Sequence, residues 1–320
     1  MKQLSPFEIK SKTAQRLNAA GYPPRQLALI HAGIALLGSL VLTIISYFLN
    51  RQVASTGGLS GIGMRSVLQS AQSVLSLALT VAMPFWEFGF VMAAMKYARQ
   101  QAVGISDLTK GFGKIGPILR LIFFQILLYT ILLTLALQVA STVVLFTPLG
   151  SGMVELIESL AENEAFMQTG VIPEEMLLPL LQAAVPVYIF GGILFALVAI
   201  PLSYRLRLAS YMVLDGQKRV LAAFLLSNRI MKRNCLDFFK LDVSFWWYWA
   251  LQVLCSLLAF GDVLLPMMGV QLPISADTAL LLFYGLQLAA SLAIAWLWRA
   301  PVETAYAVAY DTLTAKPENE

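Results

Sequence analysis

Charged residues are scarce in this chain, since Asp, Glu, Lys and Arg together make up 12% of its 320 residues. A soluble domain carries about 25% charged residues, because these side chains keep its surface in contact with water. Hydrophobic residues reach 58%, and the mean hydropathy is +0.74. This composition excludes an ordinary water-soluble globule and predicts that much of the surface faces lipid.

Histidine and cysteine are almost missing from the sequence. His31 is the only histidine, and Cys235 and Cys255 are the only cysteines. Zinc sites of the HExxH type and clusters of His with Cys need more ligands than this. No metal and no other cofactor is therefore expected. A Ser-His-Asp triad would have to use His31 inside an apolar run, so the chain is predicted not to be an enzyme.

Six apolar runs approach or exceed the roughly 20 residues that cross about 30 Å of hydrocarbon. They are Leu27–Leu49, Ser73–Met95, Leu121–Phe146, Leu177–Ser203, Val243–Gly261 and Thr278–Trp298. The fifth run is short and could begin earlier or extend past Asp262. The runs predict an all-α fold, a polytopic bundle of six transmembrane helices in a single membrane domain, residues 1–320.

Lysine and arginine are distributed unevenly between the connections. Six helices that alternate in direction place the connecting segments on two sides of the membrane. All of the 22 basic residues except Arg51 and Arg65 then lie on the same side. Because positive residues stay on the cytoplasmic side, we predict a multi-pass protein of the inner or plasma membrane with both termini cytoplasmic. The net charge of +4 follows from this bias, and nucleic-acid binding is not expected.

The connection 147–177 has no Lys or Arg but has six glutamates, which predicts an outer location. Met153, Leu156, Ile157 and Leu160 share one helical face, so a short amphipathic helix is predicted on the outer interface. The glutamates are interpreted as a solvated acidic face, with binding of a divalent cation as the alternative.

The cytoplasmic connection 204–242 contains a second amphipathic pattern over Val220–Asn234, with Arg229, Lys232 and Arg233 near its C-terminal end. Basic residues beside a membrane attract anionic headgroups by about 1 kcal/mol each. The alternative is ordinary positive-inside bias in a helix packed under the bundle, and the sequence favours this alternative.

Each helix that runs from outside to inside carries a proline followed by small residues. The prolines are Pro84, Pro201 and Pro301. Three related helical hairpins would explain the pattern, and chance placement of proline explains it at least as well. Repeated hairpins recur in transporters, but also in membrane proteins that transport nothing.

Glu87 is the one carboxylate predicted to lie in the middle of a span. A charged side chain at the bilayer centre costs about 2.5–3.5 kcal/mol on insertion scales, so it must be protonated, paired or in contact with water. One interpretation is a coupling site for protons or cations. The other is a structural bond to Gln125, Tyr129 or Arg205.

The connection 204–242 is bracketed by charged residues. Arg205, Arg207, Asp215, Asp237 and Asp242 are expected to form ion pairs that hold it against the bundle.

Two further patterns concern packing. Tryptophans cluster at the cytoplasmic ends of the last two spans, as in an interfacial aromatic belt. Gly285, Ala289 and Ala293 recur every four residues and allow helices to approach closely. They predict packing within the bundle or a seam between two copies.

The last third of the chain carries a recognisable pattern. Its positions are Tyr211, Leu214, Asp215, Ala223, Ser227, Met231, Lys232, Phe239, Leu241, Ser244, Phe245 and a tryptophan at 247 or 249, followed by Trp298, Pro301, Tyr306, Ala309 and Tyr310. The pattern resembles that of a bacterial integral-membrane family, the domain of unknown function nine-seven-five. Val302 replaces the usual Tyr, and Gly216-Gln217 replaces the frequent Asn-Pro.

This resemblance implies a six-span membrane protein of unproven activity. The chain is also distantly similar to the membrane domain that accompanies some glycerophosphodiester phosphodiesterases, although the phosphodiesterase domain itself is not in the sequence. The leading hypothesis is a non-enzymatic membrane protein that acts through a lipid, a membrane partner, a second copy or a small permeant. The alternatives are a secondary transporter or channel that uses Glu87 and, more weakly, an enzyme acting on lipid headgroups.

Overall fold

The computed structural model describes residues 5–55, 59–162, 174–216, 219–261, 264–265, 269 and 276–315. Within these ranges the regular structure is helical and no strand is found. Several of the helices are long and apolar enough to cross a membrane. The prediction of an all-α membrane bundle is confirmed.

The described α-helices follow one another along the chain with short connections. They are α1 (Pro6–Asn18), α2 (Pro24–Ser55), α3 (Leu59–Ala98), α4 (Ile115–Leu145), α5 (Ser151–Ala161), α6 (Glu174–Leu214), α7 (Val220–Val243), α8 (Trp246–Leu258), α9 (Ala276–Ile294) and α10 (Ala300–Thr314). A 3-10 segment, Ile105–Lys114, precedes α4, and a π-helical turn, Ala295–Arg299, joins α9 to α10.

Five stretches in the described ranges meet the length and hydropathy that a membrane span requires. They are Pro24–Ile45, Gln69–Ala98, Ile105–Leu145, Met176–Leu214 and Thr278–Thr314. The predicted fifth span, Val243–Gly261, corresponds to α8, which has 13 residues and is therefore only about 20 Å long. It meets the criteria only together with α7, from which it is bent by 64°. Within the described residues there are thus five candidate spans, or six if the bent pair crosses as one.

Consecutive long helices are neighbours in space. The helix α2 packs on α3, α4 packs on α6, and α8 packs on α9. This is the arrangement expected of three hairpins, although an evolutionary relation among them stays a prediction.

The main hydrophobic core lies at one end of the bundle. We name this the basic end, and it consists of α1, α7 and the C-terminal ends of α3, α6 and α10. The opposite end carries α5, and we name it the acidic end. There the helix faces are largely exposed, as at Val74 (68%) and Leu178 (64%), which suits contact with lipid.

The helix α10 is the centre of the basic end. From Val302 to Tyr310 every residue except Glu303 is buried, and α10 packs against α1, α2, α3 and α6. Alanines at 305, 307 and 309 present little bulk, so the surrounding helices approach closely. A helix that is apolar all round is expected at the middle of a core.

The π-helical turn before α10 has a local cause. Pro301 has no backbone N–H, and its ring crowds the carbonyl group four residues earlier, so a regular α-helical turn is disfavoured there. Single π turns accommodate such a break and are frequent at functional positions. Arg299 is the last residue of this turn. By contrast, α3 and α6 continue as α-helices through Pro84 and Pro201.

The helix α5 corresponds to the amphipathic helix predicted in the connection 147–177. Leu160 is buried, Met153 packs against the cluster formed by α4 and α6, and Ile157 is 48% exposed. Residues 163–173 of this connection, with part of its acidic sequence, lie outside the described residues.

Candidate functional site at the basic end

Arg99 joins the ends of three helices. It follows α3, and its guanidinium binds Asp215 after α6 at 2.6 and 3.0 Å and Asp311 in α10 at 2.8 to 3.2 Å. The Tyr310 hydroxyl also donates to Asp215, at 3.4 Å. The ring of Tyr310 stacks on that of Tyr211, with centroids 5.5 Å apart. We name Arg99, Asp215 and Asp311 the arginine tie.

Charge explains why these carboxylates need a cation. Asp215 and Asp311 stand at helix C-terminal ends, where the partial negative charge of the helix repels a carboxylate. Asp215 precedes Gly216, which forms a turn with a φ of +74°. A residue with a Cβ would be strained in this conformation. The hydrogen bonds to Asp215 and Asp311 raise the pKa of Arg99 above its ordinary value, so the guanidinium remains charged.

Asp242 is the centre of a second cluster. It accepts hydrogen bonds from the hydroxyls of Tyr204 at 2.7 Å and Tyr306 at 2.5 Å, and it forms an ion pair with Arg207. The Arg207 guanidinium also lies 4.2 Å from the centroid of the Tyr306 ring. Because these residues come from α6, α7 and α10, the cluster fixes α7 against the bundle.

Other basic residues bind the last carbonyl groups of helices. Arg16 donates to the last residue of α3, Lys114 to the last residue of α6, and Lys10 to the carbonyl oxygen of Ser244 after α7, at 2.5 Å. These carbonyl groups have no partner within their helix, and cations suit the negative end of the helix dipole. Some of the Lys and Arg residues that are concentrated at this end therefore stabilise the ends of helices.

Asp107 is buried in the 3-10 segment and is also paired. It binds Lys96 at 2.8 Å and Lys110 at 2.5 Å, and it accepts the backbone N–H of Gly104 at 2.9 Å. A carboxylate that accepts a backbone N–H at a helix start stabilises that end of the helix.

A groove opens between α1 and the junction of α7 with α8, and we name it the α1 groove. Its volume is about 740 Å³. The side chains that matter for its chemistry are Lys10, Ala14, Arg25, Phe245, Trp247 and Trp298. Lys10 lies 4.3 Å from the centroid of the Phe245 ring. The groove thus combines two cations with an aromatic wall, and no carboxylate is among the described residues that line it.

Glu87 pairs with Arg299, not with Gln125, Tyr129 or Arg205. Since Arg299 directly follows Trp298, the pair brings Glu87 close to the level of the predicted tryptophan belt. The Glu87 side chain is 47% exposed and that of Arg299 is 19% exposed. The Nε atom of Arg299 is buried without a hydrogen-bond partner.

His31 lies in the packing between α2 and α3. Its Nε2 is 3.2 Å from the carbonyl oxygen of Trp86, and the Trp86 indole N–H donates to the carbonyl oxygen of His31 at 3.0 Å. The two rings stack, with centroids 5.4 Å apart. This reciprocal contact fastens the two helices to each other.

The remaining residues singled out from the sequence have different surroundings. Ser227 is fully buried, and its hydroxyl donates to the carbonyl oxygen of Arg205 at 2.8 Å, which joins α7 to α6. The Ser244 hydroxyl donates to the carbonyl oxygen of Leu241 at 2.6 Å. Lys232 is exposed on α7. Among the described residues, no three His, Cys, Asp or Glu side chains are grouped as metal ligands would be.

Gly285, Ala289 and Ala293 are all exposed, and a Cβ built on Gly285 would meet nothing within 4 Å. These residues therefore do not pack within the bundle, which corrects one of the two expectations. A small-residue face buries nothing unless another helix lies on it, so the seam between two copies stays a prediction.

Sequence reasoning did not identify Arg99, Asp311, Asp107 or Arg299 as site residues. Arg99 lies 116 positions from Asp215 and 212 positions from Asp311. Nothing in the local pattern around Arg99 or Asp311 marks a partner so far along the chain. Of the three residues in the arginine tie, the sequence pattern identified only Asp215, which directly follows α6.

No family model, no curated protein and no solved structure matches the chain. The resemblance to the domain of unknown function nine-seven-five stays a prediction. Several residues that carry it, among them Tyr211, Ser227, Met231 and Tyr310, are buried in the basic end.

Proposed function

We propose that this protein is a multi-pass membrane protein without enzymatic activity, and that it binds the headgroup of an anionic phospholipid in the α1 groove. The observation that carries the proposal is the lining of the groove, in which Lys10 and Arg25 stand beside Phe245, Trp247 and Trp298. Cations supply attraction for a phosphate, and the aromatic wall supplies a surface for the glycerol backbone and the first methylenes.

Charge favours an anionic ligand over a neutral one. Burial lowers the pKa of Lys10, because the ammonium group gives up part of its hydration in the groove. A phosphate close to Lys10 would offset that cost. Each Lys or Arg near a membrane surface contributes about 1 kcal/mol to binding of anionic lipid, so the two cations together supply about 2 kcal/mol.

The aromatic side chains favour a lipid over a water-soluble phosphate. Trp247 is 63% exposed and Trp298 is 38% exposed, although both are large and largely apolar. Tryptophan is enriched where the hydrocarbon meets the headgroups, because one part of its ring system is apolar and another is polar. A groove walled by such side chains opens at the depth where headgroups lie.

The orientation forms part of the same proposal. We infer that the basic end faces the cytoplasm of an inner or plasma membrane and that both termini lie there. The support is the distribution of Lys and Arg, of which only Arg51 and Arg65 fall outside the segments assigned to that side. The cytoplasmic leaflet carries the anionic lipids that the groove would bind.

An enzyme acting on headgroups is the weaker alternative. The carboxylates Asp107, Asp215 and Asp242 are each paired with at least one Lys or Arg and bind helices to one another. This arrangement supports a structural role for them. We therefore propose a binding function and not catalysis. The connection 204–242 has a structural role in it and supports the helices around the groove.

Native mass spectrometry of the purified full chain tests the proposal. The protein is released from nanodiscs that contain equal amounts of phosphatidylglycerol and phosphatidylcholine, and the retained lipids are counted. We expect phosphatidylglycerol to be retained preferentially, and we expect the double variant Lys10→Gln, Arg25→Gln to lose this preference. A loss of about 2 kcal/mol corresponds to a roughly thirty-fold weaker dissociation constant.

Lys12→Gln is the matched control, because Lys12 is on the same helix, pairs with Glu8 and does not line the groove. The control should retain phosphatidylglycerol as the unmodified chain does. Equal retention of both lipids by the unmodified chain, or an equal loss in the control, would contradict the proposal.

A further inference from the structure

The helix α7 carries large apolar side chains on its exposed face. At 3.6 residues per turn, five of them fall within an arc of about 60°. The opposite face, with Ala223, Met231 and Phe238, is buried in the main core. An exposed apolar surface of this kind marks an interaction site. We name the five exposed residues the α7 stripe, and they are Leu221, Leu225 (72% exposed), Leu236 (73%), Phe239 and Val243.

Basic side chains accompany the α7 stripe. The two acidic residues of the helix are half-buried, and each pairs with a cation, Asp237 with Lys240 and Asp242 with Arg207. The exposed face is therefore apolar and cationic, which is typical of a helix that lies in a membrane interface. The exposed basic residues of α7 are Arg229, Lys232, Arg233 and Lys240.

The helix α7 crosses α6 instead of running alongside it. The Ser227 hydroxyl donates to the carbonyl oxygen of Arg205 at 2.8 Å, and Asp242 accepts a hydrogen bond from the Tyr204 hydroxyl at 2.7 Å. Ser227 and Asp242 are separated by about 22 Å along a helix, at 1.5 Å per residue. Tyr204 and Arg205 are adjacent, so a long part of α7 is held against one position on α6. Helices packed side by side would use similar lengths of both.

These contacts lie at the level where the predicted spans leave the hydrocarbon. The apolar run Leu177–Ser203 of α6 ends directly before Tyr204. The apolar run of α4 begins at Leu121, and the ring of Phe124, in the first turn of that run, lies 6.5 Å from the ring of Phe224 on α7. Because α7 meets both spanning helices at this level, it is expected to follow the membrane surface over most of its length.

The junction of α7 with α8 fits the same position. The chain turns by 64° between the two helices, and the predicted fifth span, Val243–Gly261, begins where α7 ends. Tryptophan is enriched at membrane interfaces. The helix α8 is therefore expected to enter the bilayer from the surface along which α7 lies. Three exposed tryptophans mark this turn, and they are Trp246, Trp247 and Trp249.

We propose that α7 lies in the headgroup region of the leaflet at the basic end, with the α7 stripe against the first acyl methylenes and its exposed cations against anionic headgroups. Lys and Arg have long apolar stems, so the charged group reaches the headgroups while the stem stays beside apolar side chains. Each cation near a membrane surface attracts anionic lipid. This surface is separate from the α1 groove, because the residues of the α7 stripe do not line that groove.

A second copy of the chain is a less suitable occupant. Two copies that met through the α7 stripe would bring Arg229 and Lys232 of both chains close together, and like charges repel. The structure describes all of α7, and the exposed face of this helix has no acidic residue to compensate them. An acidic segment of another protein would match the charge, but the contacts of α7 with the ends of two spans place the stripe beside lipid.

Fluorescence quenching in the full chain tests the proposal. Cys235 and Cys255 are replaced by alanine, and the fluorophore bimane is attached to a single cysteine at Leu225 or Leu236. Ala222→Cys is the matched control, since Ala222 is exposed on the same helix but lies outside the arc of the stripe. The protein is reconstituted in vesicles of phosphatidylglycerol and phosphatidylcholine with bromine on the acyl chains. The labelling yield and the thermal midpoint identify variants that do not fold.

We expect bromine to quench bimane at 225 and 236 roughly two-fold or more above position 222, because only the stripe would reach the acyl chains. Equal quenching at all three positions would overturn the proposal. Unquenched bimane with the emission of a label in water would also overturn it and would leave the stripe for an acidic protein segment. Unquenched bimane with the emission of a buried label would overturn it in favour of a second copy.

The choice of lipid tests the charge. With bromine on phosphatidylglycerol alone or on phosphatidylcholine alone, we expect preferential quenching by phosphatidylglycerol at position 225. The double variant Arg229→Gln, Lys232→Gln should lower this preference by up to roughly thirty-fold at low salt. Lys12→Gln is the control, since Lys12 is an exposed cation on α1, and it should leave the preference unchanged. Equal quenching by the two lipids, or an equal loss in the control, would contradict binding of anionic headgroups by α7.

Discussion

Arg99 shows how much of the basic end depends on one side chain. Its planar guanidinium presents donors in two directions, which lets it bind Asp215 and Asp311 at the same time. A lysine has one compact ammonium group and cannot replace this geometry. The three side chains are at most 30% exposed, so water weakens their attraction only in part.

We expect Arg99→Lys to lower the free energy of unfolding by about 2 kcal/mol, because charge-assisted bidentate bonds are replaced by a single contact. The measurement is the thermal midpoint of the purified protein in detergent. Arg16→Lys is the control, since Arg16 makes one bond to a backbone carbonyl group that a lysine can also make. Equal midpoints for the two variants would argue against the arginine tie.

The Glu87–Arg299 pair leads to a second prediction. Glu87→Gln leaves a largely buried guanidinium without its partner, so we expect a loss of about 1 kcal/mol after allowance for the water at Glu87. The double variant Glu87→Gln, Arg299→Gln should lose less than the sum of the two single variants. A thermal-melt cycle measures the difference, and strict additivity would show that the two side chains do not interact.

If Glu87 also serves transport, Glu87→Gln should abolish that activity at an unchanged level of folded protein. Loss of folded protein without a separate activity defect would support a structural role only.

At the scale of helices, the backbones of α3 and the 3-10 segment approach each other closely where they cross. A Cβ on Gly89 would overlap the backbone of Leu108, and a Cβ on Gly111 would overlap the backbone of Phe85. Backbone atoms cannot move aside as a flexible side chain can. The two glycines therefore set how near the segment lies to α3.

We expect Gly111→Ala to reduce the yield of folded protein and its thermal midpoint, because overpacking a close contact costs about 1–3 kcal/mol. Gly116→Ala is the matched control, since a Cβ there meets nothing within 4 Å. Alanine in place of an exposed helical glycine should be neutral or stabilising. Equal yields and equal thermal midpoints for the two variants would contradict a close backbone contact at this crossing.

The helices also show what hydropathy can predict. The apolar run Leu177–Ser203 ends where a span would leave the hydrocarbon, but α6 continues to Leu214. Backbone hydrogen bonding does not stop at the membrane surface, so Arg207 and Tyr211 extend the helix into the basic end. Hydropathy thus predicts where the long helices lie. It does not predict the polar extensions of these helices beyond the apolar runs, and those extensions carry most of the candidate site.

The ion pairs illustrate the same limit. The charged residues around 204–242 were expected to hold this connection in place, and the structure has ion pairs at Arg207, Asp215 and Asp242. Their partners include Arg99 on α3, which no local spacing could reveal. The 3.6-residue period locates faces of one helix, whereas a contact between distant helices depends on how the whole chain packs.

At the scale of the molecule, the proposed location of both termini on one side makes a prediction about the number of crossings. The helix α1 packs against α10, so both described ends of the chain are at the basic end. A chain that begins and ends on one side crosses the membrane an even number of times. The bent pair of α7 and α8 is the remaining candidate for the sixth crossing.

We therefore expect a fluorescent protein fused to either terminus to fold in the cytoplasm and emit light. Alkaline phosphatase, which is active only outside the cytoplasm, should be active when inserted next to Glu155 in α5 and inactive at both termini. Fluorescence at one terminus and phosphatase activity at the other would mean five crossings and would exclude six.

The most direct measurement of lipid binding is capture of the lipid in the α1 groove. A photoreactive amino acid at Ala14, which is exposed and lines the groove, is compared with one at Gln15, which is exposed on the same helix but does not line it. The protein is irradiated in vesicles of phosphatidylglycerol and phosphatidylcholine, and the attached lipid is identified by mass spectrometry. We predict attachment of phosphatidylglycerol at position 14 well above that at position 15. Equal capture of the two lipids at position 14, or equal capture at both positions, would contradict the account.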